Sequence, residues 1–328
     1  MASDRSLLVE NGGSIELNKN WARQVLYRME TNGEKLVRRM ATTSKIPVSP
    51  GLLTETKLDY QRRYKSLLEW HSIPKDLVIN FDQTPLPYVC ASKHTLEKQG
   101  TKSVPLVGKG KCKQITGTFA ISQSGEFLPM QLIYEGKTKR CLPPIKFPTE
   151  FNVTFTKNHW SNEEKAIEFV EEIILPFVRS KKEELDLPSD QKSMLIFDVF
   201  RGQTTEKVTD FIEKNGCVIV YVPNNMTNYF QMLDLNVNGH AKEFLKRKFE
   251  EWYADQVKKQ LDQGKDIYDV DVSMKLSDMK PKHASWLIGL YDHLRNSKEM
   301  ILESWKMAGL EEAFDSELPP EDPFADLD

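Results

Sequence analysis

The feature that most constrains the fold of this chain is the order in which short apolar segments and amphipathic segments follow one another. The segments DLVINFD (76–82), KQITGTFAIS (113–122) and EFLPMQLIYEG (126–136) are each predicted as strands. Gln123-Ser124-Gly125 separates the last two as a predicted hairpin turn. Three consecutive strands are therefore expected before the first helix of this region.

Helices and strands alternate after those three segments. Ser161 and Glu164 match a capping box, and the apolar positions that follow predict a helix. The strand SMLIFD, a helix over Glu206–Lys214, the strand CVIVYVP (217–223) and a long helix from about Val237 come next. This order predicts an α/β fold.

Aspartates occupy matching places in that order. Asp82 ends the first predicted strand, Asp198 ends the fourth, and Asp234 lies in the turn before the long helix. Because the carboxyl ends of strands in an α/β sheet gather at one edge, the three side chains are expected to meet there. Converging carboxylates repel one another unless they are neutralised or bind cations.

Two divalent ions suit such a cluster. Two Mg²⁺ or Mn²⁺ ions about 3.5–4 Å apart, held by shared carboxylates, support phosphoryl transfer, the chemistry of nucleases and of enzymes that cut and rejoin DNA. An aspartate at the end of a strand is also a common turn former or helix cap, so each of the three taken alone has a structural interpretation.

Composition and charge narrow the class of protein. No apolar run approaches the ~20 residues that cross a bilayer, and the first residues lack a signal-peptide core, so an intracellular protein with no membrane partner is expected. Residues 1–75 hold 13 Lys+Arg against 8 Asp+Glu, and residues 308–328 hold eight acids and no base. This asymmetry favours an anionic partner near the N-terminus and an acidic tail. Without a C-x-x-C pair, reduced thiols are expected at the four cysteines Cys90, Cys112, Cys141 and Cys217.

Several longer segments resemble a known family. They are INFDQTPLPYV (79–89), GEFLPMQLIYEGKTKRCLP (125–143), NHWSNE (158–163), LIFDVFRGQ (195–203) and VPNNMTNYFQMLDLNVNGHAKEFLK (222–246). Together they resemble the DDE superfamily endonuclease domain of pogo and Tigger transposases in the mariner superfamily, to which jerky-like proteins and centromere protein B are related. The chain departs from the pattern at Met232, where the third motif commonly has proline, and this change frees the turn that directs Asp234.

The resemblance implies a fold, an activity and a location. It implies an RNase H-like mixed sheet flanked by helices, with Asp82, Asp198 and Asp234 as catalytic metal ligands for two Mg²⁺ or Mn²⁺ ions. It further implies metal-dependent DNA cleavage and strand transfer in the nucleus. The alternative is a domesticated, catalytically silent protein that binds DNA or chromatin. Homo-oligomerisation is left open.

The same resemblance divides the chain into four parts. They are a helix-turn-helix remnant and linker (1–48), a connecting helix (49–75), the catalytic domain (76–262), and C-terminal helices with the acidic tail (263–328). In the remnant, a helix is predicted over residues 17–31.

Basic residues near the predicted site have two interpretations. Those around the predicted hairpin and beyond Asp198 either contact a DNA backbone or belong to a solvated surface: Lys109, Lys111, Lys113, Lys137, Lys139, Arg140 and Arg201. Arg201 and Gln203 are also placed to support a metal site or to cap the next helix. Trp160 is predicted to anchor the core, and His159 is predicted to be structural.

Overall fold

The structure is a computed structural model that describes Gln24, Tyr27 and residues 49–89, 113–198, 205–266 and 269–315. The chain forms two compact units, residues 1–47 and residues 48–328. In the first unit Gln24 and Tyr27 are helical, in agreement with the helix predicted over residues 17–31, and both are exposed. The remainder of that prediction lies outside the described residues, as do Cys90 and Cys112.

The described part of the second unit contains a six-stranded mixed sheet. Its strands are β1 (Val78–Pro87), β2 (Gln114–Ser122), β3 (Gln131–Glu135), β4 (Asn152–Thr156), β5 (Ser193–Asp198) and β6 (Cys217–Val222). They lie in the order β4-β3-β2-β1-β5-β6. β2 pairs antiparallel with β1 and β3, whereas the β3–β4, β1–β5 and β5–β6 pairs are parallel. This arrangement confirms the predicted α/β fold with a mixed sheet.

Helices precede, connect and follow the strands. They are α1 (Pro50–His71), α2 (Glu163–Phe169), α3 (Leu175–Glu184), α4 (Glu206–Lys214), α5 (Thr227–Phe230), α6 (Asn238–Asp262), α7 (Leu276–Arg295), α8 (Lys298–Met307) and α9 (Leu310–Asp315). A π-helical turn over Val170–Ile174 joins α2 to α3, and another over Leu233–Val237 leads into α6. No helix in the described part of the chain has the length and apolar character needed to cross a membrane.

Two local predictions are corrected by the structure. The sheet has a fourth strand before α2, the edge strand β4, which was not predicted. Helix α2 is capped by Asn162, whose side chain accepts a hydrogen bond from the Lys165 backbone N–H, so the predicted Ser161–Glu164 capping box is wrong. Asn is among the best N-cap residues because its short side chain reaches the free N–H groups of the first turn.

The two faces of β1 have different surroundings. Phe81 packs against Phe169 of α2, with ring centroids 5.6 Å apart, and stacks on Phe197 of β5 at 4.6 Å. Because side chains alternate along a strand, Asn80 and Asp82 point to the opposite face. That opposite face is covered by the π-helical turn Leu233–Val237, whose backbone contacts Asn80.

Helices from both ends of the second unit complete its core. Trp305 of α8 is 1% exposed, and its indole N–H donates to the Ser122 carbonyl of β2 at 3.0 Å. The Gln61 amide of α1 donates to the Gly309 carbonyl just before α9. Residues on both sides of positions 75 and 262 therefore belong to one packed unit.

Candidate active site

Asp82 and Asp198 project from neighbouring strands where these strands separate. Asn80 pairs with Ile196 in the parallel β1–β5 ladder, and each aspartate lies two residues further along its strand. β5 ends at Asp198, but β1 continues beyond Asp82 to Pro87, so Asp82 does not end its strand as predicted. The two carboxylates therefore leave the sheet on the same face.

Asp234 reaches the same region from the π-helical turn before α6. The side-chain amide of Asn238, the first residue of α6, joins it to Asp82. Asn238 Nδ2 donates to Asp82 Oδ2 at 3.1 Å and to Asp234 Oδ1 at 2.8 Å. Two acidic residues that are far apart in the sequence are thus held by one amide group.

Buried hydrogen bonds fix the turn that carries Asp234. Asn80 Nδ2 donates to the Ile196 carbonyl at 2.9 Å and to Gln231 Oε1 at 2.6 Å. Gln231 Nε2 donates to the Phe81 carbonyl at 3.3 Å, and Asn80 Oδ1 accepts from the Leu233 N–H at 3.2 Å. Both side chains are fully buried. This network ties β1 and β5 to the segment immediately before Asp234.

The electrostatic environment of Asp82 is unusual. Burial, and then the neighbouring charge of Asp234, raise the pKa of Asp82 to about 7, although hydrogen bonds from Gln83 and Asn238 act in the opposite direction. Asp198 adds a smaller repulsion. The Asp82 carboxyl therefore gains or loses its proton near neutral pH, where a bound cation would favour the ionised form.

Asp198 shares a cavity with Asp82. The cavity has a volume of about 250 Å³. Its remaining walls come from β1, β2 and the loop before α2, and are formed by Gln83, Thr84, Pro85, Gln114, Thr116, His159, Trp160 and Ser161. Thr227 at the start of α5 donates to Asp198 Oδ2 at 2.7 Å, which orients the carboxylate.

The loop before α2 gives this cavity an aromatic wall. His159 has a positive φ of 57° and lies with Nδ1 3.1 Å from Thr116 Oγ1, an anchoring contact that agrees with its predicted structural role. Trp160 is 61% exposed, so its predicted role as a core anchor is wrong. The indole ring is available to a ligand in the cavity instead.

The predicted basic residues are only partly described. Lys113, Lys137, Lys139 and Arg140 are exposed at the ends of β2 and β3 and in the turn after β3. Lys109, Lys111, Arg201 and Gln203 lie outside the described residues. The prediction that these side chains contact DNA remains a prediction.

Sequence reasoning missed the polar residues that hold the aspartates. The Asp234–Asn238 spacing of four along a helical segment was a detectable signal, because such residues lie on one face. The pairing of Asn80 with Gln231 had no local signal, since it joins segments brought together only by the fold. Thr227 was equally hidden in the turn before the long helix.

The donors present fit a divalent cation. Within the described ranges, no three His, Cys, Asp or Glu side chains are grouped so that they could hold one ion. Asp82 and Asp234 nevertheless share one amide group, and Asp198 lines the same cavity as Asp82. Carboxylate and amide oxygens are the donors that Mg²⁺ and Mn²⁺ prefer, and the buried Asn238 Oδ1 has no hydrogen-bond partner among the described residues.

Comparison with known proteins identifies related sequences. Residues 113–307 match the DDE superfamily endonuclease family. The human protein "Pogo transposable element with KRAB domain" is 26% identical over 236 residues, which cover 71% of this chain and 36% of that protein. The Mus musculus protein of the same name is 25% identical over 236 residues, with the same coverage. The chain thus matches little more than a third of the length of these relatives.

Two solved structures of Mos1 transposase are among those with a backbone similar to that of this chain. The Mos1 transposase paired-end complex with left transposon end has a TM-score of 0.47 and 12% identity, covering 90% of this chain and 76% of that one. The catalytic domain of Mos1 mariner transposase has a TM-score of 0.36 and 12% identity, covering 78% of this chain and 97% of that one.

Proposed function

Because the chain belongs to the DDE superfamily endonuclease family, we propose that it is a transposase-like domain that cleaves DNA phosphodiester bonds and transfers strands. The observation that carries this proposal is the placement of Asp82 and Asp234 on one amide group, next to the cavity that Asp82 shares with Asp198. A protein with no use for these carboxylates has no evident reason to bring like charges together at the edge of its sheet.

In this proposal the three aspartates hold two Mg²⁺ or Mn²⁺ ions. Such ions supply Lewis-acid stabilisation of the attacking and leaving oxygens in an in-line displacement. The chain itself contributes the positions of the ligands. Asn238 spaces Asp82 from Asp234, Thr227 orients Asp198, and the network of Asn80 and Gln231 fixes the turn that carries Asp234. Because cleavage and strand transfer are both displacements at phosphorus, one set of carboxylates serves both.

The proposed partner is DNA and the proposed location is the nucleus. Both follow from membership in the family and from relatives that are named as pogo transposable elements. The exposed Lys113, Lys137, Lys139 and Arg140 offer positive charge for phosphate contacts.

A second candidate function is DNA or chromatin binding without catalysis. It is favoured by the hydrogen bonds that already engage all three carboxylates and by the lack of a three-carboxylate group within the described ranges. In this alternative the aspartates have become structural.

Metal-dependent stability distinguishes the two candidates without a known DNA site. We expect Mg²⁺ or Mn²⁺ to raise the thermal stability of the chain, by about 2.7 kcal/mol at 100 times the dissociation constant, because the ion binds only the native state. Asp82→Asn, Asp198→Asn and Asp234→Asn should each reduce this gain. Asp210→Asn, which removes an exposed ion-pair partner of Lys214 on α4, is the matched control and should keep it.

Nicking of supercoiled plasmid in the same buffers completes the test. Metal-dependent nicking by the parent and by Asp210→Asn, but not by the other three variants, supports the enzyme. Retained DNA binding without metal stabilisation or nicking supports the silent alternative. Equal metal stabilisation of the parent and all the variants would overturn the assignment of the three aspartates.

A further inference from the structure

Only the nitrogen of the Asn238 side-chain amide makes hydrogen bonds to the described residues. Its Nδ2 group donates one hydrogen bond to Asp82 Oδ2 at 3.1 Å and another to Asp234 Oδ1 at 2.8 Å. Its Oδ1 atom is buried and accepts no hydrogen bond from any residue that the structure describes. The whole residue is 2% exposed, so bulk water does not readily satisfy this oxygen.

This arrangement is unfavourable for a purely structural residue. A buried amide oxygen without a partner loses the hydrogen bonds that it makes to water in the unfolded chain. Asparagine is also a poor helix former, and residue 238 continues directly from the π-helical turn into α6. Two costs at one position indicate that the amide oxygen has a partner in another state of the site.

We propose that Asn238 is a metal ligand whose amide group changes orientation when the site is filled. The inference rests on the proposed function, in which Asp82 and Asp234 hold a divalent cation. Without metal, the two N–H bonds of Asn238 point at the two carboxylates and reduce their mutual repulsion. With metal, the amide turns about its last side-chain torsion, and Oδ1 binds the cation together with the carboxylates.

The required movement is small. The terminal torsion of asparagine is broad and roughly two-fold, so Nδ2 and Oδ1 can exchange places without a change in the backbone. Amide carbonyl oxygen belongs to the hard donors that suit Mg²⁺ and Mn²⁺. The residue that lies between the two acids is then also the residue that completes their donor set for the cation.

Matched variants of the full chain test this role by direct metal binding. Asn238→Leu keeps the branched shape of the side chain but removes both polar amide atoms, whereas Asn238→Asp keeps an oxygen donor. Asn236→Leu is the control, because Asn236 lies in the same turn and donates instead to the Met300 carbonyl at 3.0 Å. Calorimetric titration with Mn²⁺ should show that Asn238→Leu binds roughly 10- to 100-fold more weakly than the parent. Asn238→Asp should bind at least as tightly as the parent, and Asn236→Leu should match it.

Unchanged or tighter Mn²⁺ binding by Asn238→Leu would overturn the proposal, since the amide would then be a spectator or a competitor of the ion. Absence of metal binding by the parent would instead refute the metal site of the proposed function. If Asn238→Leu does not fold, the parent alone gives the answer through NMR with ¹⁵N-labelled asparagine. Saturation with Mg²⁺ should shift the side-chain NH₂ signals of Asn238 much more than those of Asn236, and an unmoved Asn238 pair would contradict the inference.

Discussion

At the scale of single residues, Asp82 has to accommodate a charge in an environment that disfavours it. Burial and the charge of Asp234 raise its pKa to about 7, so the native state holds a proton that the unfolded chain releases near pH 4. The folded state therefore binds more protons than the unfolded state between about pH 4 and pH 7. Over this interval the contribution of Asp82 to the stability of the metal-free protein falls as the pH rises.

Asp82→Asn should remove that dependence. In chelator-treated buffer, the free energy of unfolding of the parent should decrease relative to that of the variant from pH 5 to pH 7. The difference should become constant only well above this pKa of about 7, where Asp82 is ionised in both the folded and the unfolded state. Urea titrations at one-unit pH intervals measure this difference in the free energy of unfolding. Asp210→Asn is the control, and its pH dependence should follow that of the parent. Parallel curves for the parent and Asp82→Asn would show that Asp82 is ionised throughout.

At the scale of elements, buried hydrogen bonds fix the turn before Asp234, which a proline commonly restricts in the family. Met232 stands where the family commonly has proline, and the sequence predicted a looser turn before Asp234. The structure buries Met232 fully and fixes the turn by contacts of Gln231 and Leu233 with β1. The position of Asp234 thus depends on a polar network that spans β1, β5 and the π-helical turn.

Asn80→Leu and Gln231→Leu should therefore be costly and coupled. Each removes a partner from buried polar groups, with an expected loss of about 1–3 kcal/mol in the free energy of unfolding. Because the two side chains share a hydrogen bond, the double variant should lose less than the sum, with a coupling of roughly 0.5–3 kcal/mol. Urea denaturation of the full cycle measures this coupling.

A second cycle provides the control. Gln131 on β3 belongs to a separate buried contact with Thr118, two strands away from Asn80. The losses in the free energy of unfolding caused by Asn80→Leu and by Gln131→Leu should therefore add in the double variant. Additive losses in the first cycle as well would mean that Asn80 and Gln231 act independently.

Elements with a strong local pattern were predictable, and contacts between distant segments were not. Helix α4 and strands β5 and β6 lie where the apolar pattern of the sequence predicted them. β4 was missed because it is a five-residue edge strand with mostly half-buried side chains. The aspartates were found because they interrupt or follow apolar runs. Asn80 and Gln231 were not recognised because they pair with each other across the tertiary fold, whereas Asn238 was missed although its spacing of four from Asp234 was a local signal.

At the scale of the whole molecule, the helices after residue 262 are part of the core. Trp305 is buried against β2, and other core side chains come from the same region: Leu287, Leu290, Leu294 and Ile301. These helices therefore stabilise the sheet that carries the aspartates.

Trp305→Ala should destabilise the protein severely, by about 3–5 kcal/mol, because it leaves a large cavity in the core. Trp305→Phe keeps most of the volume but removes the hydrogen bond to Ser122, so a smaller loss is expected. Trp160→Ala is the matched control, because its 61% exposed side chain should contribute little to stability. Similar melting temperatures for Trp305→Ala and Trp160→Ala would refute the packing role of Trp305.

Exposed basic residues should determine the salt dependence of DNA binding. Replacing Lys137, Lys139 and Arg140 by alanine should weaken binding to any duplex and reduce the slope of log K against log salt by about 0.9 for each lost phosphate contact. Lys207→Ala with Lys214→Ala is the control, since both lysines already have acidic partners. Equal slopes for the parent and the triple variant would assign these three residues to a solvated surface.

The packing of α1 beside α9 has a consequence for how this unit can be joined to other segments. Gln61 contacts Gly309, and Lys57 lies 3.7 Å from Glu312, so the two helices run in opposite directions and the first half of α1 lies beside α9. A domain whose entrance and exit coincide can be inserted into a larger protein as a cassette, or circularly permuted with a short linker. Both connections of such a unit lie at one place on its surface, so the unit adds no length between the two segments that it joins.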